Sequence, residues 1–193
     1  MLNEAIRAMK GDTEVRELFE TQIDAELGAF IPVTYIRNEI QKLDMYKRIA
    51  SVESKEEMEE LQDEMIDRYG DLPESVNLLL HVAYTKSLAH KAYVERLTIR
   101  DGFLVMQMFP RAQLRVEELP ALLKGYGGRL NLRAGATPVM TYRLGTAEKP
   151  GQTGGRSTGK AVGKAAAAGA KRDPYADLDE AAALLTELGK LAM

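Results

Sequence analysis

The chain contains no cysteine and no tryptophan, and its only histidines are His81 and His90. Without cysteine there can be no disulfide and no thiolate metal site, and a reducing, cytoplasmic setting is the expectation. Two histidines nine residues apart on one predicted helix cannot assemble a His-rich metal centre; they read as ordinary structural or surface residues. No apolar run approaches the roughly 20 residues needed to span a bilayer, so no membrane segment is expected. The first residues, MLNEAIRAMKG, mix acidic and basic side chains with apolar ones, unlike a signal peptide. Net charge is also scarce: −3 over 193 residues carries no strong implication of nucleic acid.

Catalytic signatures are equally thin. No Ser/His/Asp constellation is recognisable, and no catalytic residue, metal ligand or cofactor is assigned. Gly154, Gly159 and Lys160 have the spacing of a phosphate-binding loop. The next position is Ala161, however, which has no oxygen for magnesium, and no strand precedes the loop to aim it. An ATP site is therefore rejected.

What the chain does have is enough apolar residue, 45%, to bury a core, in one domain with appendages or in two small domains. Leu2 to Lys10 has helical spacing and stops at Gly11, reading as the last turns of a helix that begins elsewhere, so that the chain reads as a fragment. A strand is expected around Thr21 to Leu27. Thr34 is the candidate N-cap of a helix running to about Val52, with Ile36, Ile40, Leu43, Lys47 and Ala50 on one stripe, widened by Tyr46 and Ile49. Ser54 opens the next helix, with Glu57 three residues on completing a capping box. Met58, Leu61, Met65 and Tyr69 form its apolar face, and Gly70 stops it. Pro73 suits the first turn of a third helix, which carries Val76, Leu79, Leu80, Ala83, Ser87 and Val94 and ends near Tyr93 to Glu95.

Strands follow. Leu97 to Arg100 and Phe103 to Phe109 flank Asp101-Gly102, a strong two-residue hairpin signal, and the second strand is apolar on both faces, as an interior strand would be. A short helix at Leu119 to Lys124 and strands at Arg129 to Arg133 and Val139 to Leu144 complete the pattern. Helices grouped before strands predict an α+β fold, a three-helix cluster on a small, mostly antiparallel sheet. From Gly145 to Arg172 the composition turns to Gly, Ala, Ser, Thr and Lys, and a flexible linker is expected. Asp173-Pro174 then starts an amphipathic helix with Leu178, Ala181, Leu185 and Leu188 in register, which should dock on the domain or on a partner. The expected organisation is thus a preceding helix end at 1–11, an α+β domain at 12–144, a linker at 145–172 and a C-terminal helix at 173–193.

The most concentrated charge lies between Glu53 and Asp71, where nine acids against two bases give −7, leaving +4 for the rest of a chain that totals −3. At 100° per residue, Glu57, Glu60, Glu64, Asp67 and Asp71 fall within an arc of roughly 80° beside the apolar face. A solvated face is the plain reading. Two details weigh against it: few lysines or arginines stand four residues away to neutralise the stripe, and Asp67 lies in the last turn, where the helix dipole disfavours an anion. Both point to an external cationic partner, with arginines able to grip carboxylates in bidentate fashion. The linker's six basic residues, Lys149, Arg156, Lys160, Lys164, Lys171 and Arg172, offer a competing class of function, weak sequence-blind binding of nucleic acid. Self-association through the C-terminal helix is a third.

YKRIAS at Tyr46–Ser51, followed by EMIDRYGDLP at Glu64–Pro73, resembles the C-terminal domain of the bacterial transcription-repair coupling factor (Mfd) family. ETQIDAELGAFIP at Glu20–Pro32 resembles the extended segment leading into it. The resemblance covers about Leu2 to Leu144, and the Gly/Ala/Lys linker departs from it. It implies a parent that is an ATP-dependent DNA translocase, one that removes stalled RNA polymerase and recruits the excision-repair protein UvrA, with its motor upstream of this region. It further implies a non-catalytic regulatory domain that docks on a UvrB-like N-terminal module, masks the UvrA-binding surface and holds the motor autoinhibited. In the family the glutamate and aspartate of the E-x-x-D-R-[FY]-G helix meet arginines of that module. Carried over, these are Glu64 and Asp67, with Glu57, Glu60 and Asp71 beside them as secondary candidates.

Overall fold

The computed structural model describes residues 19–112, 114–145 and 173–192. The helix end expected at Leu2 to Lys10 lies outside them, as do nearly all of the expected linker, its basic residues and the loop at Gly154 to Lys160.

Strand β1 (Gln22–Ala25) comes first and is followed by three helices, α1 (Glu39–Ala50), α2 (Lys55–Tyr69) and α3 (Glu74–Lys91). The chain then forms β2 (Val94–Arg100), β3 (Phe103–Met108), the short α4 (Leu119–Gly125), β4 (Leu130–Arg133), β5 (Val139–Arg143) and finally α5 (Pro174–Gly189). One five-stranded sheet results, in the order β1-β2-β3-β5-β4, with β1 parallel to β2 and every other pair antiparallel. This is the α+β class expected, with the apolar strand β3 at the centre.

The hairpin forms where the Asp101-Gly102 pair places it. Arg100 pairs with Phe103, and both turn residues take positive φ, 52° and 77°. That is the geometry whose twist matches the flanking strands.

Two apolar clusters hold the molecule together. One is helical and joins Ile31, Ile36, Met45, Ile49, Met58, Leu61, Met65, Val76 and Leu80. The other lies under the sheet, where Leu97, Leu104, Met106, Leu130, Met140 and Tyr142 meet Ala181, Leu184, Leu185 and Leu188 of α5. Helix α3 serves both, giving Val76 and Leu80 to the first and Ala89 to the second. The C-terminal helix thus docks on its own domain. Its anticipated register residues Leu178, Ala181, Leu185 and Leu188 are all buried.

Helix α1 departs from expectation in its start and in its buried face. Thr34 lies in a turn, and Asn38 is the cap, accepting from the amides of Ile40 at 3.0 Å and Gln41 at 3.1 Å. The buried residues are Met45 and Ile49, whereas Ile40 is 80% and Leu43 57% exposed. The expected stripe joins opposite sides of one cylinder: nine residues separate Ile40 from Ile49, and at 100° each that is half a turn. Asn38→Ala should lower stability by about 1 kcal/mol in urea unfolding, with Thr34→Ala close to neutral. The reverse ranking would contradict the cap.

Helix α3 also ends earlier than the pattern implied. It stops at Lys91, Tyr93 takes a φ of 57°, and Val94 begins β2 instead of extending the helical face. Val94 stands at helical spacing from the residues of α3, yet it belongs to the sheet core.

Candidate functional site: the acidic face of helix α2

Helix α2 is built as its sequence dictates at both ends. Ser54 Oγ accepts from the Glu57 amide at 3.1 Å, and the Glu57 carboxylate reaches back to the Glu53 amide at 2.8 Å. Gly70 closes the helix with a φ of 85°, a conformation that side-chain-bearing residues rarely adopt. Met58, Leu61 and Met65 are buried, and Tyr69 is half-buried. The Tyr35 hydroxyl donates to the carbonyls of Met65 and Gly70, at 3.1 Å each, and so ties down the C-terminal turn.

The five acidic candidates do not form one uniform stripe. Glu57 is engaged in the cap. Asp71 lies beyond Gly70, so helical phase does not carry to it, and its place in the arc is lost. Glu64 is held within the chain. Arg48 of α1 grips it with both guanidinium nitrogens, Nη1 donating to Oε1 at 2.6 Å and Nη2 to Oε2, while Arg68 donates to Oε1 at 3.0 Å from the next turn. These bonds, the Arg48 pair first and Arg68 second, lower the Glu64 carboxyl to about 2, so it stays ionised far into acid.

Arg68 is one of the two bases counted in this segment, but its pairing with Glu64 is not part of the expectation, and neither is Arg48. Arg68 stands four residues from Glu64 and was visible as an i,i+4 pair. Arg48 comes from another helix, and only packing brings it near. Asp67 and Glu60 remain, both exposed, and neither makes a hydrogen bond or ion pair among the described residues. The site therefore has a fixed carboxylate braced by two cations, with two free carboxylates beside it on the same helix.

The histidines are accounted for. His81 packs edge-on against Tyr175 and lies 3.8 Å from Asp179, and His90 stacks near Phe19 with Thr21 at 3.3 Å. Among the described residues no group of three or more His, Cys, Asp or Glu side chains could hold a metal ion, and no helix is long and apolar enough to cross a membrane.

Residues 25–119 match the family model described as the TRCF domain. The transcription-repair-coupling factor of Bacillus subtilis is 56% identical over 95 residues, 49% of this chain and 8% of that one. Its counterpart in Rickettsia prowazekii is 36% identical over 145 residues, 75% of this chain and 13% of that one. The chain thus spans about a tenth of the length of the curated relatives it matches. A crystal structure of the C-terminal domain of transcription-repair coupling factor has the same fold, with a TM-score of 0.62 at 19% identity over 89% of this chain and 92% of that one.

Proposed function

Because this chain carries the C-terminal TRCF domain of the transcription-repair coupling factors, we propose that it is a regulatory docking domain of a transcription-coupled DNA repair translocase, with no chemistry of its own. It docks through the acidic face of α2 on an arginine-bearing, UvrB-like module of the parent protein. There it masks the surface that UvrA binds and holds the motor in a resting state until RNA polymerase and DNA are engaged.

The observation that supports this reading is the contrast along α2. Glu64 is fixed in place by Arg48 and Arg68, while Asp67 and Glu60 are exposed with no partner among the described residues. A partner arginine engages Asp67 directly. At Glu64 it shares or replaces a cation already present, so docking there exchanges one ion pair for another and gains little. Exposed pairs of this kind contribute only about 0–1 kcal/mol each. A few of them make a latch that opens readily, because the shift in population can be no larger than the differential affinity behind it. The C-terminal helix buries its leucines on its own domain, which leaves self-association through that helix without a driving face.

The test is charge reversal in the intact parent protein. Asp67→Arg, alone and with Glu64→Arg, should raise UvrA binding and basal ATPase together. Glu64→Gln, which weakens the Arg48 pair without reversing charge, should have the smaller effect. Unchanged UvrA binding and ATPase in the double variant would sink the latch.

A further inference from the structure

The sheet has a second face, and α3 and α5 do not cover it. Strand register places Asp24, Arg96, Arg100, Phe103, Arg133 and Arg143 on it, with uncharged side chains between them, because directly paired residues share a face. Four of these are arginines, and Asp24 is the one acid. Arg96, Arg100, Arg133 and Arg143 are all exposed.

The arrangement is ordered as well as basic. Arg100 pairs with Phe103 and Phe103 pairs with Arg143, so an arginine stands on either side of a phenylalanine across three adjacent strands. Neighbouring strands lie about 4.8 Å apart, which puts each guanidinium within reach of that ring's surroundings. Phe103 is 43% exposed on the central strand, at a position where a large apolar ring gains nothing from the core. Arg143 and Arg133 make no side-chain hydrogen bond or ion pair among the described residues. Arg100 has only an exposed contact to Asp101 at 3.5 Å, and Arg96 a hydrogen bond to Gln22. Farther along the face lies a shallow depression of about 310 Å³, lined by Val105, Val139, Asn131, Thr141 and Arg133, with Leu132 at its edge. Val105, Val139 and Leu132 make its lining partly apolar, and Asn131, Thr141 and Arg133 add hydrogen-bonding groups and a cation.

An exposed ring flanked by cations, beside a small dish with amide and hydroxyl groups, matches one ligand chemistry. A flat base stacks on the ring, its phosphates meet the arginines, and a second base settles in the dish. Only unpaired bases present free faces, so a duplex cannot use the ring. We propose that the outer face of the sheet binds single-stranded nucleic acid. Phe103 is the stacking platform, Arg100 and Arg143 hold phosphates, and the Val105–Asn131–Thr141–Arg133 depression takes a neighbouring base. This surface is separate from α2 and does not depend on the latch.

The test uses the full chain and a fluorescein-labelled 20-nucleotide oligo(dT), with a duplex of equal length as comparison. Anisotropy should show the single strand bound more tightly than the duplex. Phe103→Ala should weaken it about tenfold, as loss of one stacked base does. Arg100→Gln with Arg143→Gln should flatten the dependence of log affinity on log salt by about 1.4, at 0.7 per phosphate. Phe103→Trp keeps the platform and introduces the chain's only tryptophan. Its binding should stay near that of the unmodified chain, with its emission quenched as oligo(dT) saturates. Equal or tighter binding of the duplex overturns the proposal, as does an unchanged affinity in Phe103→Ala or unquenched tryptophan at saturation. Replacing the six linker bases with glutamine separates the two basic regions, and loss of all binding in that variant with Phe103→Ala unaffected would also refute the sheet face.

Discussion

Removing residues 173–193 should abolish the cooperative unfolding transition of the domain. Helix α5 and the residues after it bury Leu178, Leu184, Leu185, Leu188 and Leu191, all with no more than 5% exposure, together with Ala181. At about 2 kcal/mol for each buried leucine, the loss is on the order of 10 kcal/mol. That is an upper estimate, because a denatured chain already hides part of this surface. The stability of a whole domain is about 5–15 kcal/mol, so the loss is comparable with everything the fold has. It also uncovers the apolar face of the sheet at Leu97, Leu104, Met106 and Met140.

The C-terminal segment is fastened at its far end too. The Arg115 amide donates to the Leu191 carbonyl at 2.9 Å, and Arg115 Nη2 donates to the Lys190 carbonyl at 2.6 Å. A chain ending at residue 172 should therefore show a broad, non-cooperative thermal transition and bind a hydrophobic dye. A synthetic peptide of residues 173–193 added in excess should restore a single transition, because its contacts need proximity and no covalent link. If the shortened chain melts cooperatively within about 5 °C of the intact one, α5 is an accessory to the fold and not part of its core.

Much of this organisation was legible because it rests on local chemistry. The Ser54–Glu57 cap, the Gly70 stop and the Asp101-Gly102 turn each need only a few adjacent residues, and each formed where its residues stand. The C-terminal helix was legible for a similar reason, since Asp173, Pro174 and an evenly spaced leucine series specify start and face together. Helix α1 was harder. Its apolar residues surround it on two sides, and periodicity could not choose between Ile40 with Leu43 and Met45 with Ile49. That choice is made by the position of α3, which is information the segment itself does not contain.

The two surfaces of interest divide in the same way. Asp67 and Glu60 could be found from helical phase alone. The bracing of Glu64 by Arg48 could not, because sixteen residues and a change of helix separate the pair. The arginines of the outer sheet face were less visible still. Arg96, Arg100, Arg133 and Arg143 are scattered through the sequence among other charges, and only strand register aligns them. A pattern read along the chain finds one-dimensional motifs, whereas the cations here are assembled by pairing.

Glu180 should be the polar residue whose loss weakens the domain most. It sits on α5, yet its carboxylate serves the sheet: it accepts from the Tyr142 hydroxyl at 2.6 Å, from the Gly145 amide at 3.0 Å and from Arg129 Nη2. The Arg129 guanidinium also lies over the Tyr142 ring, 4.9 Å from its centre. Truncation to alanine removes three acceptor contacts at once and leaves a hydroxyl on a residue only 2% exposed without its partner. Glu180→Ala should therefore lower stability by about 2–4 kcal/mol in urea, and Glu180→Gln, which keeps one acceptor, by less.

The Tyr142 hydroxyl adds a signature in pH. Burial first and the bond to Glu180 second push it well above its ordinary value of about 10. A group raised in this way contributes stability that is complete below its unfolded value and is lost as the solution becomes more alkaline. The unmodified domain should thus lose stability steadily above about pH 10, while Tyr142→Phe, weaker at neutral pH by about 1 kcal/mol, should lose less over the same range. Parallel alkaline curves for the two proteins would remove Tyr142 from the junction. A Glu180→Ala variant as stable as the parent would mean that apolar burial alone holds α5 in place.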